Sequence, residues 1–309
     1  MQSFIMLVLG FALLVWGADK FVAGASALAR RLGVSPLLVG LTIVAFGTSA
    51  PELAVSVTAA LQGANEIAVG NVLGSNLFNL LVVAGLSALI CPLVMDRTLL
   101  RRDWPLSLLA AVMLCAMIAP DLTLSRLEGA VLLAVFALTL FLQIHAALTG
   151  RSPLDDAAED IVMPPLMIVV NILLGLACII LGGQLAVSGA TGVARMFGLS
   201  ETLIGLTIVA IGTSLPELVT SLVAAHKGQN EIAMGNVIGS NIFNILLILG
   251  VSSVITPIPV LSTSIVDCLV LIGITIVFYL PARRGRLGRF PGALMALCYI
   301  AYTVYLIAR

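Results

Sequence analysis

Residues 40–53 read GLTIVAFGTSAPEL and residues 65–79 read NEIAVGNVLGSNLFN. Both stretches return about 165 residues later, as GLTIVAIGTSLPEL at 205–218 and NEIAMGNVIGSNIFN at 230–244. Aligned without gaps, 40–79 and 205–244 share about 28 identities in 40, so the chain carries one unit twice. Pro51 has no N–H, and its ring clashes with the carbonyl four residues earlier, which frees the carbonyl of Gly47. Pro216 does the same to Gly212. Both motifs interrupt apolar runs, so each predicts a broken or kinked helix at mid-membrane depth. Exposed backbone is tolerated there only where it lines a cavity or meets a polar partner.

The rest of the composition agrees with a membrane setting. Of 309 residues, 61% are hydrophobic and 10% charged, against about 25% charged in ordinary soluble domains. The mean hydropathy is +1.18. A soluble fold of this size has no core large enough to hide that much apolar surface. The chain therefore reads as an integral membrane protein, which excludes a soluble enzyme, a nucleic-acid binder and a disordered scaffold. The net charge of +0 points to no charged macromolecular partner. MQSFIMLVLGFALLVWGA at the start has no basic leader and reads as a retained first span. Cys91, Cys115, Cys178, Cys268 and Cys298 lie in apolar stretches without C-x-x-C spacing and read as small buried hydrophobes.

A spanning helix needs roughly 20 mostly apolar residues. Ten runs qualify, near 3–29, 36–61, 67–90, 104–119, 127–147, 164–193, 201–225, 232–255, 264–281 and 290–308, the fourth and ninth being short. The predicted fold is all-α. A first five-helix repeat spans 1–148, an acidic cytoplasmic linker with Asp155, Asp156, Glu159 and Asp160 spans 149–163, and a second repeat spans 164–309. Five spans per half is an odd number, so the second half must enter the membrane inverted. With both termini outside, about eleven Lys and Arg fall on the cytoplasmic side, including Arg30, Arg31 and Lys227, against three outside. Inverted repeats are a recurring plan of secondary transporters, which bind substrate near the midplane.

Glu52 and Glu217 follow the two breaks, and a carboxylate inside a membrane marks an ion or proton site by default. Thr48 and Ser49 precede Glu52 by four and three residues and share its helix face; Thr213, Ser214 and Glu217 repeat the arrangement. Asn71, Ser75 and Asn79 form a polar stripe at spacings of four, matched by Asn236, Ser240 and Asn244. These hard oxygen donors suit Ca²⁺ and Na⁺, not soft metals. The bland alternative for the hydroxyls is back-bonding to their own helix, and for Asn it is interhelical bridging. Glu66 and Glu231 start spans and read as first-turn charges on a helix N-terminus. Adjacent Asp19 and Lys20 read as a local ion pair or an interfacial position. Asp267 reads as interfacial, and His145 and His226 show no ligand spacing.

The paired GTSAPE and GTSLPE motifs, with GSNLFN and GSNIFN, resemble the α-repeats of the cation/Ca²⁺ exchanger superfamily, most closely its prokaryotic sodium/calcium exchanger branch. The resemblance spans nearly the whole chain. It implies an antiporter in a prokaryotic inner membrane, with Ca²⁺ and Na⁺ as transported ions and no cofactor. It implies a divalent ion held by Glu52, Glu217 and the backbone carbonyls of Thr48 and Thr213. It implies sodium sites at Ser49, Ser214, Ser75, Ser240 and the carbonyls of Ala45 and Ala210, with Asn79 and Asn244 completing the centre. A proton-coupled cation antiporter on the same fold is the alternative, and the GTS-x-PE form favours sodium. An enzyme is not expected, because no His or Asp base stands at membrane depth to activate Ser49 or Ser214.

Overall fold

The computed structural model describes residues 2–62, 66–149, 163–198 and 210–308. The acidic linker residues 150–162 and the start of the seventh predicted span, 201–209, lie outside the described residues. In chain order the helices are α1 (Gln2–Leu32), α2 (Pro36–Thr48), α3 (Ala50–Leu61), α4 (66–90), α5 (99–118) and α6 (Arg126–Thr149). They continue with α7 (Pro165–Met196), α8 (Ala210–Gly212), α9 (Leu215–His226), α10 (Asn230–Ile255), α11 (Ser262–Ala282) and α12 (Arg289–Ala308). Among the described residues seven helices are long and apolar enough to cross a bilayer, and eight if α2 and α3 count as one bent span. The chain is a helical membrane protein. The fourth predicted span, 104–119, is shorter as regular helix, Trp104–Ile118, and a π-helical turn at Leu99–Asp103 extends it toward its start.

Burial sorts the helices into layers. The most apolar windows of α4 and α10 are 72% and 78% buried, whereas those of α6 and α12 are 17% buried. The two GSN-bearing helices therefore form the centre, and the outer helices present Phe141, Leu138, Phe290 and Leu297 outward. Such a surface is stable only with hydrocarbon as solvent.

The long helices α1 and α7 lie side by side and run antiparallel. Gly10 meets Ala186, Gly17 meets Gly175 and Gly24 meets Ile172, so numbers rise in one helix as they fall in the other. At Gly17 a Cβ would stand 2.8 Å from the Gly175 carbonyl oxygen, so only glycine permits this approach.

Short strands join the halves in matching ways. β1 (Leu93–Val94) pairs antiparallel with β4 (Arg286–Leu287), and β2 (Thr123–Leu124) with β3 (Ile258–Pro259). Asp267, near the start of α11, is buried at 7% exposure and accepts from the Tyr302 hydroxyl at 3.0 Å. Asp19 does not pair with its neighbour. Its carboxylate meets Lys227 Nζ at 2.5 Å, between α1 and the end of α9, while Lys20 Nζ lies over the Trp16 ring. Adjacent residues of a helix point about 100° apart, so a partner on another element reaches Asp19 better than Lys20 does.

Candidate functional site

At the first motif, α2 and α3 meet at Ser49 with a bend of 48°. Hydrogen bonding resumes at Leu53 N–H, which donates to the Ser49 carbonyl at 3.0 Å. In the second motif α8 ends at Gly212, α9 starts at Leu215, and Leu218 N–H donates to the Ser214 carbonyl at 3.1 Å. Proline at the second position of α3 and of α9 needs no N–H donor there, so the interruption is local and the helices restart at once.

The restarts aim Glu52 and Glu217 at each other's motif. Both are fully buried. Ser49 Oγ–H donates to Glu217 Oε1 at 2.9 Å, and Ser214 Oγ–H donates to Glu52 Oε1 at 3.0 Å. Each carboxylate thus accepts from the serine of the opposite half. Ser75 adds a longer contact to Glu52 Oε1 at 3.4 Å and lies 3.0 Å from Ser214 Oγ. Thr48 Oγ1 donates to Asn236 Oδ1 at 2.9 Å, and Thr213 Oγ1 to Asn71 Oδ1 at 3.5 Å. The Ala45 carbonyl accepts from Ser49 N–H at 3.0 Å.

Several acceptors at this centre are buried with no donor: Glu52 Oε2, Glu217 Oε2, Asn79 Oδ1, Asn244 Oδ1 and Ser240 Oγ. A buried oxygen without a partner costs on the order of 1–3 kcal/mol, and more when it is charged. The carboxylate and amide oxygens cannot donate to one another, so a cation is the partner their chemistry calls for. Among the described residues no group of three or more His, Cys, Asp and Glu side chains is placed to hold a metal ion. Any cation here would be held by two carboxylates supplemented by neutral oxygens. Beside the centre lies a partly open cavity of about 320 Å³, lined by Pro51, Gln184, Ser188, Gly212, Thr213 and Pro216 among others.

Four polar residues escaped the sequence reading. Ser56 accepts from Asn71 Nδ2 at 3.1 Å and Ser221 accepts from Asn236 Nδ2 at 2.9 Å, both serines being fully buried. Asn76 and Asn241 pair across the centre. A signal existed, since each recurs at the same offset of about 165, but hydroxyls and amides among many apolar neighbours give no periodic stripe of their own. Glu231 sits in the first turn of α10, and its Oε2 accepts from Leu37 N–H at 3.1 Å, so it caps the start of α2 from outside. His226 and His145 are exposed.

Comparison with known proteins gives a consistent picture. The family described as sodium/calcium exchanger protein matches residues 2–145 and 167–308. The chain is 42% identical to the putative antiporter CaxA of Alkalimonas amylolytica over 96% of each protein. It is 34% identical to the sodium/calcium exchanger MaX1 of Methanosarcina acetivorans over 98% of each. A solved structure of the sodium-calcium exchanger NCX_Mj, soaked with zero Na⁺ and Ca²⁺, superposes with a TM-score of 0.86 at 34% identity and covers 99% of both chains. With the repeated motifs, the helical membrane fold and matches along nearly its full length, the chain belongs to the sodium/calcium exchanger protein family.

Proposed function

We propose that the protein is a secondary antiporter exchanging Ca²⁺ for Na⁺ by alternating access. Its architecture is ten spans in two inverted five-helix repeats, 1–148 and 164–309, around a midplane site, and the antiparallel packing of α1 on α7 supports that inversion. Glu52 and Glu217 with the carbonyls of Thr48 and Thr213 take the divalent ion. Ser49, Ser214, Ser75, Ser240 and the carbonyls of Ala45 and Ala210 take sodium, and Asn79 and Asn244 close the centre. The observation that carries the reading is the set of buried carboxylate and amide oxygens without donors.

The coupling is electrostatic. Two buried carboxylates need about two compensating positive charges in a low-dielectric surround. One Ca²⁺ or several Na⁺ supply them, and the uncompensated site resists the rearrangement that would carry it across. Because both cargoes use the same carboxylates, binding one displaces the other. With both termini outside the plasma membrane, as the Lys and Arg distribution favours, the Thr213 end of the centre would lie toward the outer solution and the Asp19–Lys227 contact toward the cytoplasm.

The test is flux into proteoliposomes with one gradient imposed at a time. An outward-directed Na⁺ gradient should drive ⁴⁵Ca²⁺ uptake, and a pH gradient without sodium should not. Uptake driven by the pH gradient alone would transfer the chain to the proton-coupled reading.

A further inference from the structure

Four buried asparagines lie where α4 and α10 cross. Asn76, Asn79 and Asn244 are fully buried and Asn241 is 2% exposed. Asn76 Nδ2 donates to the Asn241 backbone carbonyl at 3.1 Å, and Asn241 Nδ2 donates to the Asn76 backbone carbonyl at 3.2 Å. A backbone carbonyl can only accept, so each of these bonds decides which end of the side-chain amide is which. The nitrogen of Asn76 must face α10's backbone, and its oxygen must face away from it.

That oxygen is already engaged. Asn244 Nδ2 donates to Asn76 Oδ1 at 2.9 Å, and in the mirror arrangement Asn79 Nδ2 donates to Asn241 Oδ1 at 3.3 Å. The orientation of the first amide therefore passes to the second. Asn244 and Asn79 turn their NH₂ groups toward the brace and keep their Oδ1 atoms buried and without a donor. An amide rotated by 180° about its last bond has almost the same shape but presents N–H dipoles to a cation, which repels it. Two π-helical turns, Asn79–Val83 and Phe243–Leu249, begin at or just before these residues, and such turns recur where helices carry function.

We infer that Asn76 and Asn241 are positioning residues that hold Asn244 and Asn79, each in the opposite half, with oxygen rather than nitrogen toward the transported ions. The brace runs crosswise: Asn76 serves Asn244 and Asn241 serves Asn79. Neither orienting residue touches cargo. The inference rests on the proposed site, since it concerns the two amides placed there as ligands.

A double-mutant cycle separates the two ideas. The readout is Na⁺-gradient-driven ⁴⁵Ca²⁺ uptake in proteoliposomes, with half-saturating Ca²⁺ and maximal rate measured separately. Asn76→Ala should raise half-saturating Ca²⁺ by about tenfold, the scale of one lost charge-facing hydrogen bond, while the maximal rate stays within about twofold. Asn76→Ala in an Asn244→Ala background should add nothing further, because the residue it orients is gone. Asn76→Ala combined with Asn79→Ala should multiply, because those two share a helix but not a bond. Multiplying effects for the 76/244 pair would overturn the inference while leaving the site intact. An Asn244→Ala protein with unchanged Ca²⁺ and Na⁺ dependence would overturn the ligand assignment, and the inference with it. If Asn76→Ala fails to yield folded protein, the mirror cycle of Asn241→Ala with Asn79→Ala carries the same test.

Discussion

The two flanks of the central site are built from nearly the same sequence and are packed differently. On the first flank Thr48 is fully buried, its hydroxyl lies 2.9 Å from Asn236 Oδ1, and α1 meets the end of α9 through Asp19 and Lys227. On the second flank Thr213 is half-buried, its hydroxyl stands 3.5 Å from Asn71 Oδ1, and the 320 Å³ cavity opens beside it. One sequence motif thus sits in two environments, and under the proposed alternating access the two would exchange. The repeats also differ in charge where the flanks differ in packing. Under the repeat alignment, Gln184 stands where Asp19 does and Gln62 where Lys227 does. The Thr48 flank has an ion pair, and the repeat alignment puts two neutral amides at the matching positions of the Thr213 flank.

The largest effect should ignore the difference between flanks. Glu52→Gln and Glu217→Gln each remove one of two charges that a single site needs, so each should cut Na⁺-driven ⁴⁵Ca²⁺ uptake more than about 100-fold, the scale of a lost buried carboxylate partner. Full uptake in either variant would break the idea that both flanks feed one centre.

The next effect should expose the difference. Thr48→Val leaves the buried Asn236 oxygen without that donor and should cost about 1–3 kcal/mol of stability. Thr213→Val removes a longer, half-buried contact and should cost less than about 0.5 kcal/mol. Melting curves of the purified variants check this, and equal shifts would show that the flanks are alike in solution.

A smaller effect concerns the ion pair. Lys227→Gln should release the α1–α9 contact and, under the proposed alternating access, lower the share of molecules with the Thr213 cavity accessible. A Ser188→Cys probe in a background lacking the five native cysteines should then react with an impermeant thiol reagent about two- to fivefold more slowly, the scale of a half-exposed ion pair. High salt should shrink the difference. The smallest effect sharpens the comparison from the other side: Gln184→Asp with Gln62→Lys offers the Thr213 flank the same pair and should slow labelling by about twofold. Unchanged labelling in both cases would mean that the charges follow the packing without biasing it.

The membrane setting, the duplication and the two interruptions were legible because each is a local property. Apolar composition decides which solvent the surface meets, and Pro51 and Pro216 remove a donor wherever they are placed. Glu52 and Glu217 stood out because an acid in an apolar run is costly in any fold. Asn76, Asn241, Ser56 and Ser221 did not stand out, because an amide or hydroxyl becomes informative only once its partner is known.

The sequence alone therefore determined that this is a two-copy helical membrane protein with a break and a carboxylate in each copy. The tertiary structure alone decided that Ser49 serves Glu217 and Ser214 serves Glu52, that Asp19 pairs with Lys227 and not Lys20, and that a cavity lies beside Thr213 while Thr48 is fully buried. Backbone hydrogen bonding and solvent preference act over a few neighbouring residues and are written in composition and spacing. The choice of partner across 160 or more residues depends on how helices pack, and near-identical repeats leave that choice open until the fold makes it.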